Sequence, residues 1–252
     1  MSPSNNRGFF ITGTDTEVGK TLIACALIRK IKALAPNQTV MGFKPVVAGT
    51  SQSPAGLTVN EDLESLKLAS DYPGNASDLC PYVLPTPAAP HLVAKSMGIT
   101  LELSTMLSAY EAMRKKVDWI VVEGAGGFLV PINQEQDLGD LAHALQMPVI
   151  LVVGVRLGCI NHALLSVAAI AQRGLTLAGW VANTMDADMP YLHENIDTLR
   201  IRIQAPLLGI VNALPAGCRN QINHAYPLAA MQFAADALDS GRIASLIAQH
   251  AP

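Results

Sequence analysis

The strongest constraint on the fold is a short apolar run that ends in a glycine-bounded loop and reopens as a helix. Residues 9–12 have the composition of a buried strand, and Gly13-Thr14-Asp15-Thr16-Glu17-Val18-Gly19-Lys20-Thr21 follows directly. Leu22, Ile23, Ala26, Leu27 and Ile31 then recur at helical spacing, which predicts a helix over Lys20–Leu34. Strand, loop and helix in this order are the context of a phosphate-binding loop. Loop N–H groups and the helix N-terminus point at anionic oxygen, and the helix dipole favours the charge. Gly19 then permits close backbone approach, Lys20 bridges terminal phosphates, and the Thr21 hydroxyl suits Mg²⁺. The common pattern has a glycine where this chain has Thr14, with Gly13 one position earlier. The competing reading is an ordinary strand–helix turn with a glycine cap; strand, GKT and helix together favour ATP or GTP.

The rest of the chain continues the alternation. Residues 39–47, 119–122, 148–155, 177–182 and Leu207–Val211 read as strands, and residues 161–172 as a helix. The run 148–155, PVILVVGV, is apolar on both faces, as a strand buried inside a parallel sheet must be. Strands alternating with helices predict an α/β fold, a mostly parallel sheet of the P-loop NTPase type with helices on both faces. Residues 48–90 carry six prolines and scattered polar side chains, and read as a loop-rich insertion over one end of the sheet. No internal repeat or Gly/Ser linker divides the chain, so a single domain over 1–252 is expected, with 1–8 a flexible N-terminus.

Composition narrows the class. Half of the 252 residues are hydrophobic and 15% are charged, which excludes a disordered polymer. The net charge of −3 offers no basic surface for nucleic acid or an anionic membrane. No 18-residue apolar run appears, so no membrane span is expected. Cys25, Cys80, Cys159 and Cys218 are far apart and form neither a zinc knuckle nor a redox pair. A polar start without a secretory signal and this cysteine usage point to the cytoplasm.

Three further carboxylate and amine positions bear on the chemistry. Glu123, in Val121-Val122-Glu123-Gly124-Ala125-Gly126-Gly127, is read just past the end of an apolar strand. There it either holds Mg²⁺ or is a solvated charge in a tight turn. Lys44, in Gly42-Phe43-Lys44-Pro45-Val46, is either a snorkelling surface lysine or a charge that is paired and used. Asp62 follows Asn60-Glu61 and reads best as a helix cap. The six histidines show no metal-ligand spacing and no GxSxG elbow is present, so metal-hydrolase and serine-hydrolase chemistry are disfavoured.

GTDTEVGKT (13–21), GFKPV (42–46), VEGAGG (122–127), PVILVVGVRLGCINHA (148–163) and LAGWVAN (177–183) occur in this order, and together the chain resembles the dethiobiotin synthetase family from about residue 9 to 209. The resemblance implies a homodimeric phosphate-loop enzyme that uses 7,8-diaminononanoate, CO₂ and MgATP to close the ureido ring of a biotin precursor. It implies Lys44, Lys20 and Thr16 as catalytic, and Thr21, Asp62 and Glu123 around Mg²⁺. It implies an ATP site made of Glu17, Val18, Gly19, Lys20, Thr21, Leu22, Asp62, Glu123, Gly124, Ala125, Gly126, Asn183 and Thr184, with Asn183 reading the adenine. Lys44, Ala48 and the turn Gly158, Cys159, Ile160, Asn161 correspond to the substrate site, the turn acting across the dimer interface. Ala48 stands where the family often has a serine, Asn212-Ala213-Leu214 where a proline-led segment is usual, and Arg219 near an acidic position.

Two other phosphate-loop classes fit less well. Partitioning ATPases of this fold carry a signature lysine where this chain has Asp15, and amidotransferring corrin ligases need a glutaminase domain for which the sequence leaves no room. A non-enzymatic relative has only Ala48 in its favour, because the phosphate and metal residues remain. The expected activity is therefore an ATP-dependent cyclo-ligase.

Overall fold

A computed structural model describes residues 7–53, 55–218 and 225–249. Strand β1 (Gly8–Gly13) leads through the predicted loop into α1 (Lys20–Leu34), and the helix bounds coincide with the sequence reading. Pro36 cannot continue the helix, and Ala35 N–H closes its last turn on the Ile31 carbonyl at 2.8 Å. Then come β2 (Val40–Phe43), β3 (Val46–Ala48), β4 (Ser51–Gln52), β5 (Thr58–Val59), α2 (Glu61–Ser70), β6 (Tyr82–Leu84), α3 (Pro90–Ser96) and α4 (Leu103–Arg114). The remainder is β7 (Trp119–Gly127), α5 (Leu138–Leu145), β8 (Val149–Val155), α6 (Cys159–Gln172), β9 (Leu177–Thr184), α7 (Leu192–Arg202), β10 (Leu207–Val211), α8 (Leu228–Asp236) and α9 (Ser240–Gln249).

Among the described residues the main sheet has the order β10-β9-β8-β1-β7-β2, and all of its pairings are parallel. Every residue of β1 and of β8 is buried, so helices cover both faces, as the two-sided apolar runs predicted. Phe9 stacks on Trp119 of the neighbouring strand, with ring centroids 5.9 Å apart. The loop after β1 therefore opens at the carboxyl edge of a central strand, between β7 and β8, where parallel sheets place their ligands. Among the described residues no helix is long and apolar enough to cross a membrane.

Four local expectations are corrected. Residues 39–47 are two strands, not one, because Pro45 has no N–H to donate and the Lys44 N–H turns to the Leu79 carbonyl at 2.9 Å. The chain then joins a separate small sheet, β3 against β6. Residues 48–90 contain the regular helix α2, whose Asn60 cap and acidic first turn (Glu61, Asp62, Glu64) were masked by the surrounding prolines. β7 runs through the glycines to Gly127, because Gly13 of β1 still pairs with it after an irregularity at Ile11. Gly8 already pairs with Ile120 and the Arg7 carbonyl accepts from Ile120 N–H, so the inner end of the supposed flexible terminus is sheet; residues 1–6 lie outside the described residues.

Both sheet edges are closed. At one edge β10 meets the segment after α8: Asp239 N–H donates to the Leu208 carbonyl at 2.8 Å and Gly209 bridges Leu238. At the other, Gly42 N–H of β2 donates to Ser70 Oγ at 3.0 Å, and that hydroxyl donates to the Leu66 carbonyl at 2.7 Å. Ser70→Ala leaves the Gly42 N–H buried without a partner, which costs about 1–3 kcal/mol. The expected result is a lower urea midpoint at an unchanged denaturant slope.

Candidate active site

The carboxyl edge of the sheet opens into a chamber of about 1250 Å³. One wall is the phosphate loop. Glu17 and Gly19 both have positive φ, 58° and 85°, so the chain reverses sharply around Val18 before α1 begins. Gly19 is the N-cap of α1 and carries no capping side chain, which leaves the first N–H groups of the helix to an external anion. Lys20 is buried, and its Nζ donates to the Asp15 carbonyl at 2.8 Å. Burial, and the positive charge of Lys44, pull its pKa down to about 8.

The floor is a charged cluster built from three elements. Lys44 sits just past β2, Glu123 within β7 and Asp62 in the first turn of α2. The cap of α2 is Asn60, whose Oδ1 accepts from the N–H groups of Asp62 and Leu63; its Nδ2 donates to the Gly49 carbonyl at 2.7 Å. Asp62 is thus not the cap that its sequence position suggested, and its carboxylate turns inward. Lys44 Nζ lies 2.6 Å from Asp62 Oδ2 and 2.7 Å from Glu123 Oε1. Burial alone would lower the Lys44 pKa, but the two carboxylates outweigh it and hold the ammonium above its ordinary range. Burial likewise works against the Asp62 carboxylate, and the Lys44 charge overcomes it, so Asp62 titrates lower than usual. Glu123, wholly buried, is pushed up by burial despite Lys44, with the Asp62 charge adding to the shift.

Thr21 completes the group. Its Oγ1 is 2.6 Å from Asp62 Oδ1 and 2.7 Å from Glu123 Oε1, yet one hydroxyl proton serves only one of them. Glu123 Oε2 is buried without a partner among the described residues. A hydroxyl, two carboxylates and a surplus of buried acceptors make the donor set of a hard divalent cation. They supply about half of an octahedral shell, so phosphate oxygens and water must complete it, as in a metal–nucleotide site. The residues therefore fit Mg²⁺.

The chamber gathers most of the residues that sequence singled out: Thr16, Glu17, Gly19, Lys20, Thr21, Leu22, Lys44, Ala48, Asp62, Glu123, Ala125, Gly126, Asn183 and Thr184 all line it. Val18 does not; its side chain is buried in the core. Gly124 lies in β7 outside the lining. Gly158, Cys159, Ile160 and Asn161 form the start of α6, away from the chamber lining of a single chain. Arg219 lies outside the described residues.

Sequence reasoning missed an ion pair of the phosphate loop, outside the chamber lining, and several wall residues. Arg156, immediately after β8, pairs with Asp15 of the phosphate loop; a charge directly behind an eight-residue apolar run was the available signal. Asp186, Asp188 and Tyr226 line the chamber, as does the Pro87–Pro90 stretch at the end of the proline-rich insertion. Nothing local in the sequence marks Asp186, Asp188 or Tyr226.

Removing one member of a buried ion pair costs about 3–5 kcal/mol, because its partner stays buried and unpaired. Lys44→Met is expected to lose stability of this order in urea. Adding Glu123→Gln is expected to cost less than the sum of the two single changes, which a double-mutant cycle measures.

The chain is similar to known proteins in sequence and in fold. A family model described as an AAA domain matches residues 7–219, ending before α8. A relative named ATP-dependent dethiobiotin synthetase from Aromatoleum aromaticum is 49% identical over 81% of this chain and 90% of its own length. Relatives of the same name from Ralstonia nicotianae and Nitrosospira multiformis are 48% and 45% identical, covering 82% and 81% of this chain and 89% and 88% of theirs. Among solved structures, a ParA family ATPase from Chlorobium tepidum superposes with a TM-score of 0.58 at 14% identity, over 97% of this chain and 99% of that one. The septum site-determining protein MinD from Pyrococcus horikoshii superposes at 0.56 and 13%, over 95% and 96%. Those two likenesses concern the fold. Near-half identity across four fifths of the chain settles the family: this protein belongs to the ATP-dependent dethiobiotin synthetases, a family of ligases on a phosphate-loop fold.

Proposed function

We propose that the chain converts 7,8-diaminononanoate, CO₂ and ATP into dethiobiotin, ADP and phosphate, a step of biotin biosynthesis. The buried Lys44 ammonium, held at the chamber floor between Asp62 and Glu123 and beside the phosphate loop, carries this reading. The chemistry needs an amine to add to CO₂, giving a carbamate and releasing a proton. The carbamate oxygen then attacks the γ-phosphorus of ATP, displacing ADP and giving a carbamic–phosphoric anhydride. The second amine attacks that carbonyl, phosphate leaves, and the ring closes.

Each step develops negative charge on oxygen, and the site offers fixed cations for it. Lys44 would stabilise the carbamate and the transferred phosphoryl group, a preorganised electrostatic role. Lys20, released from the Asp15 carbonyl, would bridge the β- and γ-phosphates, and Thr16 at the loop crest would contact the reacting groups. Thr21, Asp62 and Glu123 would hold Mg²⁺, which supplies charge neutralisation for the phosphates. The apolar wall of Val47, Ala48, Ala88 and Val130 suits the hydrocarbon chain of the diamine. In this reading Ala48 contributes no hydroxyl and its neighbourhood contacts substrate through the backbone.

The amide of Asn183 gives the base preference. Its Nδ2 is committed to the Val18 carbonyl at 2.9 Å, so its Oδ1 is the atom left to face a base. An acceptor there matches the 6-amino group of adenine and opposes the 6-oxo group of guanine. Gly158, Cys159, Ile160 and Asn161 would serve the substrate carboxylate of a second subunit in a homodimer; Cys159 N–H is committed to the Arg156 carbonyl at 2.9 Å, so the N–H groups of Ile160 and Asn161 would receive it. A cytoplasmic setting suits the four cysteines, none of which is in a disulfide.

The decisive test incubates purified protein with MgATP, 7,8-diaminononanoate and ¹³C-bicarbonate and follows the product by mass spectrometry. A labelled cyclic urea that forms only with all three substrates is the expected result. Nucleotide turnover without it would overturn the reading. Lys44→Ala is expected to lower kcat far more than it weakens ATP binding, and equal losses would remove Lys44 from the chemistry. Replacing ATP by GTP is expected to lower kcat/KM by about tenfold or more.

A further inference from the structure

Asn183 makes a contact that base reading does not require. It ends in a buried amide, and its Nδ2 donates to the carbonyl of Val18 inside the phosphate loop, with a weaker approach to Met185 Sδ at 3.5 Å. A carbonyl only accepts, so the amide must present its N–H₂ to it. Val18 sits between the two residues of positive φ, Glu17 and Gly19. Glutamate in this region is strained and persists only when its surroundings over-determine it.

Val18 is held from two sides. Its side chain is wedged against Gly154 of β8, where an added Cβ would come within 2.7 Å of Val18 Cγ1. Its carbonyl is held by Asn183 at the end of β9. Gly19 passes so close that a Cβ there would lie 2.2 Å from Asn183 Nδ2. The loop that must aim its N–H groups at phosphate is therefore clamped by the strand that also faces the base.

We infer that Asn183 is a positioning residue of the phosphate loop: through the Val18 carbonyl it holds the Glu17–Val18–Gly19 reversal, and so sets phosphate affinity independently of any base. The inference rests on the nucleotide reading above and goes beyond it. A residue that only reads adenine leaves phosphate binding untouched. A residue that holds the loop weakens it even when the ligand has no base.

The test uses Mg²⁺ with inorganic tripolyphosphate, which has no base or sugar, and compares wild type with Asn183→Ala and Asn183→Asp by displacement of a fluorescent nucleotide. Asn183→Asp keeps an acceptor for adenine but loses the donor to Val18. Tripolyphosphate affinity is expected to fall about tenfold in both variants, the scale of one lost buried hydrogen bond with its acceptor stranded. Amide hydrogen exchange of the free protein is the second measurement: residues 14–19 are expected to exchange about tenfold faster in Asn183→Ala, with β8 unchanged. Unchanged tripolyphosphate affinity and unchanged loop exchange, alongside lost ATP affinity, would overturn the inference. If wild type binds no nucleotide, the nucleotide reading fails, and loop exchange still decides the role of Asn183.

Discussion

The ammonium of Lys44 is taken out of water at the junction of β2, β7 and α2, and the rest of the site is arranged around what that demands. An isolated buried charge costs several kcal/mol, so the fold must bring it partners. Asp62 and Glu123 come from segments 18 and 79 residues away in sequence. Each is delivered by a separate device: the Asn60 cap fixes the first turn of α2, and parallel pairing with β1 fixes Glu123 opposite Ile11. Because Thr21 touches both carboxylates, the start of α1 is tied to the same cluster. Sheet, insertion and phosphate loop thus share one electrostatic joint.

That joint explains why the insertion over residues 48–90 is ordered where it matters. A loop bearing Asp62 would have to give up its conformational freedom each time the carboxylate was needed. Placing Asp62 in a capped helix that also closes the β2 edge through Ser70 removes that cost beforehand. The same economy appears at the phosphate loop, where Val18 is packed into the core beneath a backbone that must stay open to anions. Catalysis by charge stabilisation depends on this kind of preorganisation, because groups already in place need not reorganise during the reaction.

Much of this was legible one residue at a time. The strand, loop and helix of residues 9–34 could be read directly, since hydrophobic periodicity and GKT are local signals. The two-sided burial of β1 and β8 followed from their apolar runs. Lys44 was harder: its composition allowed either a surface lysine or a paired one, and only the neighbouring carboxylates distinguish them. Asp62 taken alone reads as a cap and by resemblance as a metal-site carboxylate, because a carboxylate at a helix start has two uses; Asn60 two positions earlier takes the first. Glu123 was read as lying past a strand that in fact continues through its glycines.

Local patterns in the chain determined the secondary elements, the phosphate loop and the family, because hydrophobic period, turn chemistry and a contiguous anion-binding motif act over short stretches of backbone. Tertiary structure alone decided which charges meet, that Lys44 is held by Asp62 and Glu123, that Arg156 reaches Asp15, and that Asn183 grips Val18 from 165 residues away. The reason is physical: a side chain's charge state and role depend on the dielectric and partners around it. Those are set by chain segments whose approach no local pattern records.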